Sequence, residues 1–175
     1  MVGSFAYTPS VTLSDIPSAR FTEATLATMH RFVLSAVVDP HFQLLAAKIV
    51  SACPNKDYLC EGEKILKGVK SLVRYVRDPH EVELVQTPWI TLNRKAGDCD
   101  DMTTLVSALA SAIGHPYEFV TIKAEQARPY EWSHVYPRIQ IAGKWYGADA
   151  SVGRSYLGWE PERFFEKALW PEPKR

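Results

Sequence analysis

Apolar residues recur along this chain with two different periods, and the change from one to the other divides it. From Phe21 to about Val38, Leu26, Met29, Val33 and Val37 fall at i, i+3, i+7 and i+11, the stripe of an amphipathic helix. Asp39-Pro40 follows, a capping residue and then a proline suited to the first helical position, and predicts a second helix to about Ala52. The stretch "CPNKD" breaks it. Asp57 can cap a third helix, whose apolar face carries Ile65, Val69, Leu72, Val73 and Val76 and which Asp78-Pro79 ends. Residues 80–95 ("HEVELVQTPWITLNRK") show no helical period, and Pro88 argues for an extended or looped connection. The best-defined helix comes next. Asp98 is its N-cap, Met102, Leu105, Val106, Leu109 and Ile113 form one stripe, and Gly114 and Pro116 stop it.

Beyond Gly114 the period shortens to two. "EFVTIK" (118–123) and "SHVYPRIQI" (133–141) alternate, "AG" at 142–143 is a turn signal, and "KWYGADAS" is a return strand. Helices followed by a small antiparallel sheet predict an α+β domain, with a helical N-terminal layer and the Asp98-capped helix packed against that sheet. The Ser-, Thr- and Pro-rich residues 1–20 read as an N-terminal arm. Residues 21–175 read as one domain, with a helical lead-in at 21–79 and a core at 80–160.

Charge and cysteine content narrow the class. Twenty basic residues balance twenty acidic ones, so no net field draws in nucleic acid or an anionic membrane. The densest apolar run, "FVLSAVV" at 32–38, is too short to span a bilayer. The first basic residue is Arg20, so a signal peptide's charged start is missing and synthesis in the cytoplasm is expected. Three cysteines (Cys53, Cys60 and Cys99) make an odd count that leaves at least one thiol free.

Cys99 lies in "AGDCDDMTT", between Asp98, Asp100 and Asp101. Carboxylates make a thiol harder to ionise, whereas the N–H groups and dipole of a helix start favour the thiolate. First-turn aspartates also stabilise that helix end, and in that role Asp100 and Asp101 point away from the sulfur. Cysteine catalysis further requires a base and a group that orients it. His134 is the candidate base. With Ala142 and Gly143 as a two-residue turn, opposed residues sum to 285, so Tyr136 faces Asp149 and His134 faces Ser151. His134, Tyr136 and Asp149 then share one face, with Asp149 diagonal to His134 and within reach of it.

The blocks "YVRDPHEVELVQTP", "GDCDDMTTLVSALASAIGHP", "WSHVYPRI", "KWYGADAS" and "LGWEP" resemble those of transglutaminase-like cysteine enzymes in the papain-like superfamily, above all the versions of tailed phages and prophages. The resemblance covers roughly residues 60–160. It implies Cys99 as nucleophile, His134 as general base and acid, and Asp149 as orienter, in acyl transfer through a thioester that ends on water or on an amine. The substrate implied is a peptide or protein, with phage structural proteins as further partners and a virion-associated setting. The same fold can also serve as a non-catalytic binding module, in which Cys99 is a packing residue. The main-chain N–H of Cys99 is one expected oxyanion donor. Gln86 and Trp89 are candidates for a second, since related enzymes use a Gln or Trp upstream of the nucleophile.

Trp132 and Tyr136 are candidate cleft residues, beside walls formed by 80–95 and 124–132. No cofactor is implied. The aspartates around Cys99 lack the other ligands and the glycine of a calcium loop, and Cys53 and Cys60 lack a second pair at zinc spacing, so no metal is expected. Cys53 and Cys60 read as buried thiols or as a facultative disulfide across a helix–helix turn. His30, His41, His80 and His115 belong to no constellation.

Overall fold

A computed structural model describes residues 11–12, 21–78 and 84–173 of the 175. Five helices and a four-stranded antiparallel sheet make up most of them, in the expected α+β arrangement. The first three helices are α1 (Phe21–Val37), α2 (Pro40–Val50) and α3 (Tyr58–Leu72). Asp39 caps α2 by accepting the His41 N–H at 2.9 Å, with Pro40 at the first helical position. Asp57 caps α3 through the Cys60 N–H at 3.0 Å. Cys53 and Cys60 form a disulfide across the turn between these two helices.

The third helix is shorter than its apolar pattern implied. It ends at Leu72, and Arg74–Tyr75 form a short strand, called β2 because Val11–Thr12 are β1. Strand β2 pairs in parallel with Ala96–Gly97 (β4), the Arg74 and Val76 N–H groups bonding the Lys95 and Gly97 carbonyls at 2.9 Å each. Val73 is buried, but Leu72 and Val76 are exposed. The stretch Val73–Val76, with two valines and a tyrosine suited to a strand, thus gains a strand partner from distant sequence, which overrides the helical period.

Residues 80–95 need a second correction. Leu84–Val85 form β3, which pairs with β1, but Pro88–Arg94 fold into a helix, α4. Pro88 opens that helix instead of preventing it: Thr87 caps it through the Ile90 N–H at 3.4 Å, the same cap-then-proline device as Asp39-Pro40. Residues 79–83, which include His80, lie outside the described residues.

Helix α5 (Cys99–Ala112) is the centre of the fold. It packs against α1 and also against strand β6 (His134–Ile141), and every residue from Asp100 to Ala110 is buried. Its small residues Ser107, Ala108 and Ala110 let neighbours approach closely. Gly114, at φ +95°, ends it in the left-handed region, where glycine is favoured.

The sheet runs in the order β7 (Lys144–Gly147), β6, β5 (Tyr117–Lys123), β8 (Glu166–Pro171). The pairs Ile141↔Lys144, Gln140↔Trp145, Ile139↔Tyr146 and Arg138↔Gly147 all sum to 285, the expected register. Ala142 and Gly143 both have positive φ (50° and 82°), as a two-residue type I′ hairpin turn requires. Val135, Ile139 and Ile141 join the helical core with Tyr117 and Phe119, while Tyr136 clusters with Val120 and Ile122 on the other face. Strand β8 was not anticipated from the sequence. Among the described residues no single helix is long and apolar enough to cross a membrane.

Candidate functional site

The site begins with the cap of α5. Asp98 accepts the N–H groups of Asp100 (3.0 Å) and Asp101 (3.3 Å), and Asp101 reaches back to the Asp98 N–H at 3.4 Å, a reciprocal capping box. The cap engages Asp100 and Asp101, so the Cys99 N–H at the first helical position is not one of its donors. Asp101 turns away from the sulfur, as expected. It is fully buried and accepts the Gln86 main-chain N–H at 2.7 Å and the Gln86 side-chain amide. Gly97 makes room for it, since a Cβ there would meet the Asp101 Cβ at 2.6 Å.

Asp100 departs from expectation. Its Oδ1 lies 3.5 Å from the Cys99 sulfur and accepts the thiol hydrogen. Burial, then the Asp100 and Asp98 charges, push the Cys99 thiol well above its usual range, against one Val135 N–H that donates to the sulfur and pulls the other way. The start of α5 therefore does not hand over a ready thiolate. Oxygens of Asp98 and Asp100 and the Cys99 sulfur lie within 4.8 Å of one another, but the carboxylates already serve the cap and the thiol.

The Val135 contact fixes where the sulfur sits. Val135 follows His134 in β6, and its carbonyl accepts Thr103 Oγ1 from α5 at 3.2 Å, so the first turns of α5 are pinned to the start of that strand. His134 Nε2 lies 2.8 Å from Asp149 Oδ2. The hairpin ladder ends at Gly147, one more bond joins the Ala148 N–H to the Pro137 carbonyl at 2.9 Å, and Asp149 then extends to the imidazole. Ser151 donates to Asp149 Oδ1 from its main chain (2.9 Å) and its hydroxyl (2.7 Å). Burial works against the Asp149 charge, but His134 and Ser151 outweigh it and hold this carboxyl below its ordinary range. An ionised carboxylate only accepts, so Nε2 carries a hydrogen, and in the neutral ring Nδ1 keeps its lone pair.

The other sequence candidates are placed differently. Trp89 donates its Nε1–H to Asp39 Oδ2 at 2.8 Å and packs edge-on against Phe42, on the helical side. Gln86 spends its amide on Asp101 and, at 3.4 Å, on the Ala96 carbonyl. Neither is free in this arrangement to serve an oxyanion. Tyr136 is fully buried, so it supports the imidazole instead of lining an open wall: its ring stacks on His134 at 6.0 Å and its hydroxyl donates to Glu160 at 2.8 Å. Trp132 is partly exposed, with the Lys123 ammonium 4.7 Å from its ring centre. His30 is buried against Phe119 and bonded to the Tyr117 hydroxyl at 3.0 Å, and His115 pairs with Glu61 at 2.7 Å, both packing roles.

One neighbour of the sulfur was missed. Tyr75 lies opposite Gly97 in the β2–β4 pair, and Gly97 is two residues before Cys99; Tyr75 is exposed. Burial, then the charges of Cys99 and Asp98, raise its phenol, which puts its hydroxyl in the electrostatic surroundings of the thiol. Its surroundings in the sequence, "VRYV", continue the apolar period of the third helix, which conceals the strand.

Two solved structures share this fold. A candidate protease from Parabacteroides distasonis ATCC 8503 matches with a TM-score of 0.57 and 14% identity, over 74% of this chain and 26% of that one. A candidate cysteine protease from Cytophaga hutchinsonii matches with a TM-score of 0.53 and 18% identity, over 91% of this chain and 50% of that one. The chain thus spans a quarter to a half of the length of these two proteins. At such identities the likeness defines the fold. No curated protein sequence matches. The Transglutaminase-like superfamily core profile matches residues 44–150, more than half of the chain. The chain belongs to the transglutaminase-like superfamily.

Proposed function

We propose that the protein is a thiol-dependent acyl-transfer enzyme that hydrolyses a peptide or amide bond, with Cys99 as nucleophile, His134 as general base and acid, and Asp149 as its orienter. The observation that carries this reading is the His134–Asp149 contact of 2.8 Å, next to a sulfur bonded by the following residue's N–H. Nδ1 of His134 takes the thiol proton as the sulfur attacks the carbonyl carbon. The raised thiol favours proton transfer during attack over a standing ion pair. The oxyanion that forms is met by the Cys99 N–H, with the Tyr75 hydroxyl as a side-chain candidate. Collapse expels the amine, which receives its proton from His134. Water then attacks the thioester, His134 accepts a proton from it, and the acid product leaves as the thiol is restored.

The blocks shared with phage and prophage versions lead us to assign the protein to that setting, with a peptide or phage structural protein as substrate. A second reading is a non-catalytic binding module of a virion or assembly, favoured by the carboxylate that holds the thiol hydrogen. Intact-protein mass spectrometry after incubation with an activated acyl ester and a mixed peptide digest separates the two. The enzyme reading expects a thioester adduct on Cys99, absent in Cys99→Ala and discharged by water. Discharge onto an added primary amine instead would identify a cross-linking transferase. No adduct under any condition would leave the binding module.

A further inference from the structure

Asp149 stands where the sheet no longer supports it, beyond the last ladder pair of β6 and β7. Main-chain carbonyls in such an irregular segment need partners from elsewhere. Here three of them are met by one side chain, Lys70, on the last turn of α3. Its Nζ lies 2.7 Å from the Ser155 carbonyl, 2.9 Å from that of Gly153, 3.1 Å from that of Val152 and 3.1 Å from Ser155 Oγ. An ammonium has three hydrogens, and all of them face this loop. None of the ion pairs among the described residues involves Lys70.

The chain of contacts leads to the imidazole. Ser155 is buried, and its hydroxyl accepts from Lys70 while donating to the main-chain carbonyl of Asp149. The Asp149 carboxylate holds His134. Helix α3 is itself fixed where this needs it. Gly62 lies against β6 so closely that a Cβ would meet Ile141 Cδ1 at 2.7 Å and Leu157 Cδ2 at 3.1 Å. Glu61 is bonded to His115, and the disulfide ties the first turn of α3 to the end of α2. Eight residues separate Gly62 from Lys70, about 12 Å along the helix axis. The same α3 therefore reaches the hairpin end at Gly62 and the loop after Asp149 at Lys70.

We propose that Lys70 is a positioning residue: through Ser155 and the carbonyls of residues 152–155 it holds the Asp149 segment so that the carboxylate stays on His134 Nε2. The catalytic meaning of this clamp rests on the enzyme reading above, but the clamp itself is measurable without turnover. In this account the helical lead-in does more than cover the core, because it sets the geometry of the third member of the triad.

Imidazole ¹⁵N spectra of Lys70→Met test it. Methionine keeps most of the aliphatic stem and removes the donors. In the native protein the neutral His134 ring is expected as a single tautomer, protonated at Nε2. Lys70→Met is expected to give a mixture of both tautomers and at least tenfold slower alkylation of Cys99 by iodoacetamide. A general loss of stability would not alter the tautomer of the molecules that remain folded. Should Lys70→Met fail to fold, Ser155→Ala probes the second link and is expected to give the same mixture. A single Nε2 tautomer in the variant that folds overturns the clamp and leaves the enzyme reading intact. A mixed tautomer in a protein whose native Cys99 alkylates no faster than a free thiol supports the clamp and overturns the enzyme reading.

Discussion

Replacing Asp101 by asparagine removes a buried charge from the base of the site without removing its volume. Burial pushes the Asp101 carboxyl from 3.8 up to about 6; the Gln86 and Asp98 donors restrain that rise, and Asp78 adds to it. A carboxyl that titrates higher in the fold than in the unfolded chain costs stability as pH rises. Between pH 4 and 6 the unfolded chain has already released this proton, while the folded protein still holds it. The cost is complete above pH 6. The gap between 3.8 and about 6 corresponds to about 3 kcal/mol, at about 1.4 kcal/mol per pH unit. Asp101 is fully buried, so solvent screening takes little from that figure. His30 works in the opposite direction: burial lowers it to about 4, so its contribution is lost as pH falls from 6.5 towards 4. The native protein's pH profile alone therefore hides both groups. The difference between Asp101→Asn and native protein isolates one. Urea unfolding at half-unit steps from pH 3.5 to 7.5 should show the variant gaining about 3 kcal/mol on the native protein across that range, whatever constant offset the altered hydrogen bonds introduce. A flat difference, or one that falls with pH, would refute the account of Asp101 as a reluctantly charged cap.

Three other outcomes are expected. Gly147→Ala, two residues before Asp149, drives a Cβ into the Trp159 main-chain carbonyl; overpacking of this kind costs about 1–3 kcal/mol, read as a lower urea midpoint, with slower Cys99 alkylation as the Asp149 segment shifts. Replacing both Cys53 and Cys60 by serine opens a loop with a sequence separation of 7, and chain entropy puts the loss at about 2 kcal/mol, measured against the oxidised native protein. Asp149→Asn keeps the side chain's size but removes the acceptor that selects the Nε2 tautomer. It should reduce Cys99-dependent turnover by on the order of a hundredfold or more while leaving substrate binding nearly unchanged.

How far the sequence was legible depended on whether a signal was local. The hairpin register followed from two turn residues, Ala142 and Gly143, because a two-residue loop leaves no freedom in the pairing, and it brought Asp149 to His134 before any coordinates were needed. The caps at Asp39, Asp57 and Asp98 were equally local. Thr87-Pro88 carried the same cap-and-proline signal as Asp39-Pro40, yet the missing apolar period of a seven-residue helix concealed it. Residues 73–76 misled for the opposite reason. Their apolar spacing continued that of α3, and only a partner some twenty residues later made them a strand and brought Tyr75 beside the site. Strand β8 and the Lys70 contacts depend on how distant segments meet, which no short window contains. The electrostatics of Cys99 divide the same way: the helix start was visible, but the turn of the Asp100 carboxylate towards the sulfur was not.

The central claim is that His134 supplies what the aspartates around Cys99 withhold. With the Cys53–Cys60 disulfide intact, Cys99 is the sole free thiol of the three cysteines, so the rate of alkylation by limiting iodoacetamide reports on it alone. Measured from pH 5 to 10 for native protein and His134→Ala, the native rate should already be substantial at neutral pH, and the variant should react at least tenfold more slowly there and approach it only in alkali. Superimposable profiles, with Cys99 unreactive at neutral pH in both, would contradict the claim.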